Sequence, residues 1–198
     1  MDSEIKITGM PAAGDPERCS FVVDRPLFEG KSFYFGEPEK AKGSPLVERL
    51  FAIPGIASIL VAHDTVTVVK SAPEAWPAIG KLVGAAIRET LASGVAPIAE
   101  DLLSGLPPEG VLREVVQQLI DTEINPALGG HGGFVELIDV KQNNLFMRMG
   151  GGCQGCGMAN ATLRGGIERL IREVVPAVGE IMDVTDHASG RNPYYGHA

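Results

Sequence analysis

The chain has 198 residues, 44% of them hydrophobic and 21% charged, which supplies apolar surface for one good core or two small ones and excludes a disordered polymer. Its formal net charge of −8 leaves neither half basic, which argues against nucleic acid as a partner. The N-terminal stretch has no apolar signal-like core and no later run approaches the roughly 18 apolar residues of a membrane span, so a cytoplasmic protein with no membrane partner is expected.

Residues 1–18 carry Pro11, Gly14 and Pro16 without periodicity and read as an irregular lead-in. Short β-branched or aromatic runs at 20–24 and 32–35 predict two strands, with 25–30 forming a hairpin or a longer β connection. Ser44 as N-cap and Pro45 in the first turn open a helix with Leu46, Val47, Leu50 and Phe51 at helical spacing, stopped by Pro54-Gly55. Strands at 56–61 and 65–69 flank a compact turn at His63-Asp64. Trp76, Ile79, Leu82, Val83, Ala86, Ile87 and Leu91 then keep the three-and-four spacing of an amphipathic helix ending near Ser93-Gly94. A first unit of order ββαββα is therefore expected over residues 19–93, followed by a Pro- and Gly-containing linker at 94–109.

The second expected unit, residues 110–187, starts with a helix whose apolar stripe is Val111, Leu112, Val115, Val116, Leu119, Ile120 and Ile124, closed by Asn125-Pro126. A glycine-rich turn at 129–133 contains His131 and leads to strands at 134–140 and 145–149, joined tightly enough to pair antiparallel and to put the following loop at one edge of the unit. A helix from 158 to about 173 and a strand at 180–184 complete the order αββαβ. Residues 188–198 lack an apolar pattern and are expected to be a mobile tail. The fold class is thus α+β, two small α+β domains in sequence.

Between the strand ending near Met149 and the helix starting at Met158 lies Gly150-Gly-Gly-Cys-Gln-Gly-Cys-Gly157. Cys153 and Cys156 form a C-x-x-C pair at a strand-to-helix turn, where outward-pointing amides favour thiolate over thiol and so favour metal binding and nucleophilic attack. The glycines let the backbone approach a bulky inorganic group. Gly150-x-Gly152-x-x-Gly155 also matches the dinucleotide fingerprint, but the preceding strand follows a hairpin instead of opening a series of βαβ units, and Cys153 stands where a pyrophosphate would approach. A thiol-disulfide oxidoreductase is a stronger alternative, although such sites usually sit near a βαβ pattern. Structural zinc needs four ligands where one C-x-x-C supplies two, and neither His63, His131 nor His187 is spaced to complete the set. The odd count of three cysteines does not make a secreted disulfide framework and fits a reducing compartment. Cys19, alone at the start of a strand run, reads as a packing residue, as do Met147 and Met149 on one strand face. No role is assigned to His131.

Three segments carry a resemblance: Asn125-Pro-Ala-Leu-Gly-Gly-His-Gly-Gly133, Gly151-Gly-Cys-Gln-Gly-Cys-Gly-Met158 and Thr162-Leu-Arg-Gly-Gly-Ile-Glu168. They resemble the C-terminal domain of NifU and the Nfu-type iron–sulfur carrier proteins over about residues 110–187. The ending, Asp183-Val-Thr-Asp-His187 with Pro193-Tyr-Tyr195, is similar to the NfuA branch. Phe28-Glu-Gly30, Ser44-Pro-Leu46, Leu50-Phe51, Ile53-Pro-Gly55 and Trp76 resemble the Nfu N-terminal domain. The resemblance implies a non-enzymatic scaffold or carrier. In such a carrier Cys153 and Cys156 of two subunits bridge one [4Fe-4S] cluster per homodimer, which is received from a cluster donor scaffold and passed to apo iron–sulfur acceptor proteins. It implies that the N-terminal unit docks those donors or acceptors.

Overall fold

The structure, a computed structural model, describes residues 4–13, 15–130, 132–151 and 157–184, with side chains at all of these except 103, 151 and 157–164. The chain divides into two units between Leu106 and Pro107. Helices and sheets occur in both, as the α+β reading requires. Among the described residues no helix is long and apolar enough to cross a membrane.

The first unit holds a five-stranded antiparallel sheet of order β1-β2-β5-β4-β3. Its strands are β1 (Ile7–Ala12), β2 (Asp15–Val23), β3 (Ser32–Phe35), β4 (Ile56–Ala62) and β5 (Thr65–Lys70). Successive side chains on a strand take opposite sides. Cys19, Phe21 and Val23 of β2 therefore share a buried face with Ile59 and Val61 of β4 and with Val66 and Val68 of β5. Helices α1 (Pro45–Phe51) and α2 (Trp76–Ala92) complete this core with Leu46, Val47 and Leu50 and with Ile79, Val83 and Ile87.

Two expectations for this unit are corrected and one open alternative is settled. The lead-in is not irregular: it contains β1 and the start of β2. β1 was invisible as a pattern because it is an edge strand with exposed residues on both faces, where Pro11 is tolerated beside a bulge. Of the two readings of residues 25–30 the hairpin fails and the longer β connection holds, since β2 pairs with β5 and β3 with β4. That connection wraps the β4–β5 turn, where the amides of Leu27 and Phe28 both donate to the His63 carbonyl at 2.7 and 2.9 Å. Ser44 makes no side-chain cap on α1; its Oγ instead accepts the Ala99 amide at 3.0 Å.

That last contact also revises the linker. Ile98 is 1% exposed, Leu102 and Leu106 pack on the same core, and the Leu46 amide donates to the Pro97 carbonyl at 3.2 Å. A short helix, α3 (Asp101–Ser104), lies within the segment. Ile98, Leu102 and Leu106 recur every four residues, an apolar stripe hidden among prolines and glycines, and it anchors residues 97–106 to the first unit.

The second unit begins with α4 (Glu109–Leu119), whose helical path continues through a π-helical segment, Ile120–Ile124, into α5 (Asn125–Gly129). Asn125-Pro126 does not close the helix. Pro126 falls in the first turn of α5, where its missing N–H is least costly, and the π segment just before it relaxes the local hydrogen-bond pattern. The buried stripe is Leu112, Val116, Leu119, Ile120, Ile124 and Leu128, while Val111 and Val115 are exposed at 50% and 38%.

β6 (Gly133–Lys141) and β7 (Asn144–Gly151) form the expected antiparallel hairpin. β8 (Ile181–Asp183) then pairs parallel to β7, reached through α6 (Gly157–Val174). The sheet order β6-β7-β8 makes β7 the central strand, so the chain after β7 leaves from the middle of the sheet. A hairpin and a single βαβ crossover coexist here, which removes the lack of a βαβ pattern as an objection to redox chemistry. The core is built from the α4–α5 stripe, Val135, Leu137 and Val140 of β6, Leu145, Met147 and Met149 of β7, and Ile167 and Ile171 of α6.

The revised boundary is testable. Ile98→Ala should destabilise the first unit by about 2–5 kcal/mol, the usual loss for truncating a buried Ile, as read by urea unfolding. An unchanged midpoint would mean that residues 97–106 are a free linker after all.

Candidate functional site

Cys153, Cys156 and His131 lie outside the described residues. The described elements bracket the cysteines closely: β7 ends at Gly151 and α6 starts at Gly157. Three features fix that frame.

The first is a pairing of glycine with an aromatic ring. Phe134 and Gly150 are cross-strand partners on β6 and β7, and a Cβ at Gly150 would stand 2.2 Å from Phe134 Cζ. A larger residue at position 150 would have to push that ring aside. Phe134 is still 46% exposed, so an aromatic surface lies at the root of the cysteine segment. The ion pair of Arg148 with Glu136, Nε to Oε2 at 3.2 Å, joins the next cross-strand pair on the same face of the hairpin.

The second is Asn125 at the start of α5. Its Nδ2 donates to the Val135 carbonyl at 3.0 Å and its Oδ1 accepts the Val135 amide at 2.8 Å. One side chain thereby closes both backbone groups of a β6 residue and holds the strand against the helix across the glycine-rich turn. In that turn Gly132 has φ 69°, a conformation that L side chains rarely adopt.

The third is the anchoring of β8. The β6–β7 turn has Gln142 at φ 58° and Asn143 at 1% exposure. Asn143 donates from Nδ2 to the Ala177 carbonyl at 3.0 Å, and its own carbonyl accepts the Gly179 amide at 2.9 Å. The Glu180 amide donates to Asn144 Oδ1 at 3.0 Å and the Leu145 amide to the Glu180 carbonyl at 2.9 Å. The return from α6 is therefore pinned to the far end of the hairpin.

Among the described residues no group of three or more His, Cys, Asp or Glu side chains is placed to hold a metal ion. Cys19 belongs to the first unit and is 2% exposed, with its Sγ 3.8 Å from the Ser20 carbonyl. Burial pushes its thiol pKa up, against a smaller lowering by a backbone hydrogen bond from Met10, so it is held as a neutral packing thiol. Met147 and Met149 are buried, as the strand pattern required. His63 sits in the β4–β5 turn of the first unit. Sequence reasoning missed the positioning roles of Asn125, Phe134 and Gly150. The helical spacing makes Asn125 a helix stop, and the Phe134–Gly150 pairing needs the strand register, which no spacing rule supplies.

The chain matches the family of NifU-like domains over residues 116–182 and that of scaffold protein Nfu/NifU N-terminal domains over residues 9–94. The two matches fall one in each structural unit. The chain therefore consists of an Nfu N-terminal-type domain followed by a NifU-like domain. Over 85 residues it is 46% identical to the Fe/S biogenesis protein NfuA of Pseudomonas aeruginosa and 47% identical to that of Ectopseudomonas mendocina. Each alignment takes in 42% of this chain and 44% of the relative, less than half the length of these curated proteins. The solution structure of a NifU-like protein from Saccharomyces cerevisiae aligns with 50% of this chain and 91% of its own, at 21% identity and a TM-score of 0.45.

The Phe134–Gly150 contact yields a clean expectation. Gly150→Ala should destabilise the second unit by about 1–3 kcal/mol through overpacking, and adding Phe134→Ala should recover much of that loss. Additive losses in thermal unfolding of the double variant would show that the ring does not enforce the glycine.

Proposed function

We propose that this protein is a non-enzymatic carrier of iron–sulfur clusters. In this reading Cys153 and Cys156 of two copies hold one [4Fe-4S] cluster as cargo between them, and the cluster passes from a donor scaffold to apo iron–sulfur proteins. The observation that carries the reading is the NifU-like match over 116–182, which spans both cysteines. The relatives named Fe/S biogenesis protein support it.

The donor set fits the cargo by arithmetic. Iron–sulfur clusters of this type take four thiolates; one chain offers two in its C-x-x-C pair, and Cys19 is buried in the other unit. A two-fold related copy supplies the missing pair. The amides at the start of α6 follow Cys156 directly, and such amides lower thiol pKa and favour the ligating thiolate. A cluster shared between two loops is released by thiolate exchange with an acceptor. The first unit is the module that docks donors or acceptors, and free thiolates as ligands suit the reducing cytoplasm.

A second reading, a thiol-disulfide oxidoreductase, gains from the βαβ crossover of β7, α6 and β8. Substitution separates the two. After anaerobic reconstitution Cys153→Ala or Cys156→Ala should lose nearly all bound iron, because at most two thiolates remain across the pair, whereas Cys19→Ser should keep the wild-type iron content. A colourless wild-type protein that binds no iron but cycles a Cys153–Cys156 disulfide would favour the redox reading. Loss of half the iron in folded Cys19→Ser would make Cys19 a ligand.

A further inference from the structure

An open groove of about 470 Å³ runs between β1 and α2 in the first unit, within the size range of ligand sites. One wall is a single stripe of α2: Trp76, Gly80, Gly84 and Arg88 recur every four residues, over about 18 Å of helix. The other wall is one face of β1, formed by the alternating residues Ile7, Gly9 and Pro11, and the floor is Cys19 and Phe21 of β2.

Packing does not demand the glycines of that helix stripe. A Cβ at Gly80 would make an ordinary 3.4 Å contact with Phe21, and one at Gly84 would meet only the Arg88 guanidinium at 3.2 Å. Each glycine in a helix interior costs about 1 kcal/mol relative to alanine, and what the two leave behind is open space along the groove. Of the residues lining the groove the two cations lie midway and at one end, while the Lys70 ammonium stands 5.7 Å from the Trp76 ring centroid at the other. Trp76, whose Nε1 donates to the Pro16 carbonyl at 2.9 Å, marks that end together with Pro77 and Pro11. Lys81 lies midway, and Arg88, whose Nε donates to the Ile5 carbonyl at 3.2 Å, marks the other end. Among the described residues neither cation pairs with a carboxylate, in a chain of net charge −8. Finally, β1 is the edge of its sheet, so one row of its backbone groups faces no strand among the described residues.

We propose that this groove binds an extended segment of a donor or acceptor protein, with apolar side chains over Phe21 and Trp76 and acidic side chains on Lys81 and Arg88. An extended backbone uses the open edge of β1, which a plain acyl chain would not. The proposal rests on the reading of the first unit as the docking module, and gives that module a recognition chemistry.

Trp76 is the single tryptophan of the chain and lines the groove, so its emission reports occupancy in the full-length apo-protein. The probes are acetyl-Leu-Val-Leu-Glu-Glu-amide and its reverse-order counterpart, acetyl-Glu-Glu-Leu-Val-Leu-amide. At least one should shift Trp76 emission saturably. Replacing both Glu of the peptide by Gln, or using the Lys81→Glu/Arg88→Glu variant, should each weaken binding by about tenfold or more, as loss of charge-assisted contacts does. The peptide change leaves the protein untouched, so a folding defect cannot imitate that result. Absence of binding by both peptides, binding indifferent to both changes, or saturable binding of decanoate with none by the peptides would overturn the proposal. Iron content after reconstitution is read on separate wild-type samples: a groove that fails with normal iron loading leaves the carrier reading standing, and absent iron with normal peptide binding sinks the carrier reading alone.

Discussion

Two parallel strands lying side by side need a connection that travels back along the sheet, and in the second unit α6 provides it between β7 and β8. That requirement orients α6. Its N-terminus must fall at the end of the central strand β7, where the backbone amides that have no intrahelical partner carry partial positive charge. The remaining contacts of the unit serve this crossover. Asn143 and Asn144 pin its return at one end of the hairpin, and Asn125 holds the start of β6 at the other. Phe134 covers its cross-strand partner Gly150 just before the cysteine segment.

The core that results is built from apolar side chains. Helices α4 to α6 and the three strands bury a continuous set of aliphatic and methionine side chains, unlike small zinc domains, in which the metal bonds supply the folding free energy. Under the proposed function this separation matters. A carrier whose fold depended on its cluster would unfold at each delivery. Here the metal bonds would act on association instead: they exist only in the paired state, so cluster loading drives the dimer by mass action and release returns the monomer.

Strong local patterns were legible. Most of the α2 stripe, though not Leu82, which is exposed, the β4–β5 and β6–β7 hairpins and the strand and helix on either side of the Cys153–Cys156 segment all follow from periodicity and turn chemistry within short windows. What failed was long-range or masked by composition. β1 carries no alternation because both its faces are exposed. The pairing of β2 with β5 is decided by partners far along the chain, and the Ile98, Leu102 and Leu106 stripe was hidden by prolines that suggest a linker. The parallel placement of β8 could not be read either, since a three-residue strand has no pattern of its own. Of the site, the two cysteines stood out in sequence, whereas Asn125 and the Phe134–Gly150 contact emerge only once register and helix path are known.

The half-site is the point on which the account depends, and stoichiometry tests it most directly. Sedimentation velocity and iron assay on the same anaerobically reconstituted samples should give a dimer carrying one cluster, about two irons per chain, as Cys₄ ligation shared by two C-x-x-C pairs requires, and a monomer after the cluster is removed. Four irons on a chain that sediments as a monomer would contradict the account, because a single chain would then hold a complete ligand set.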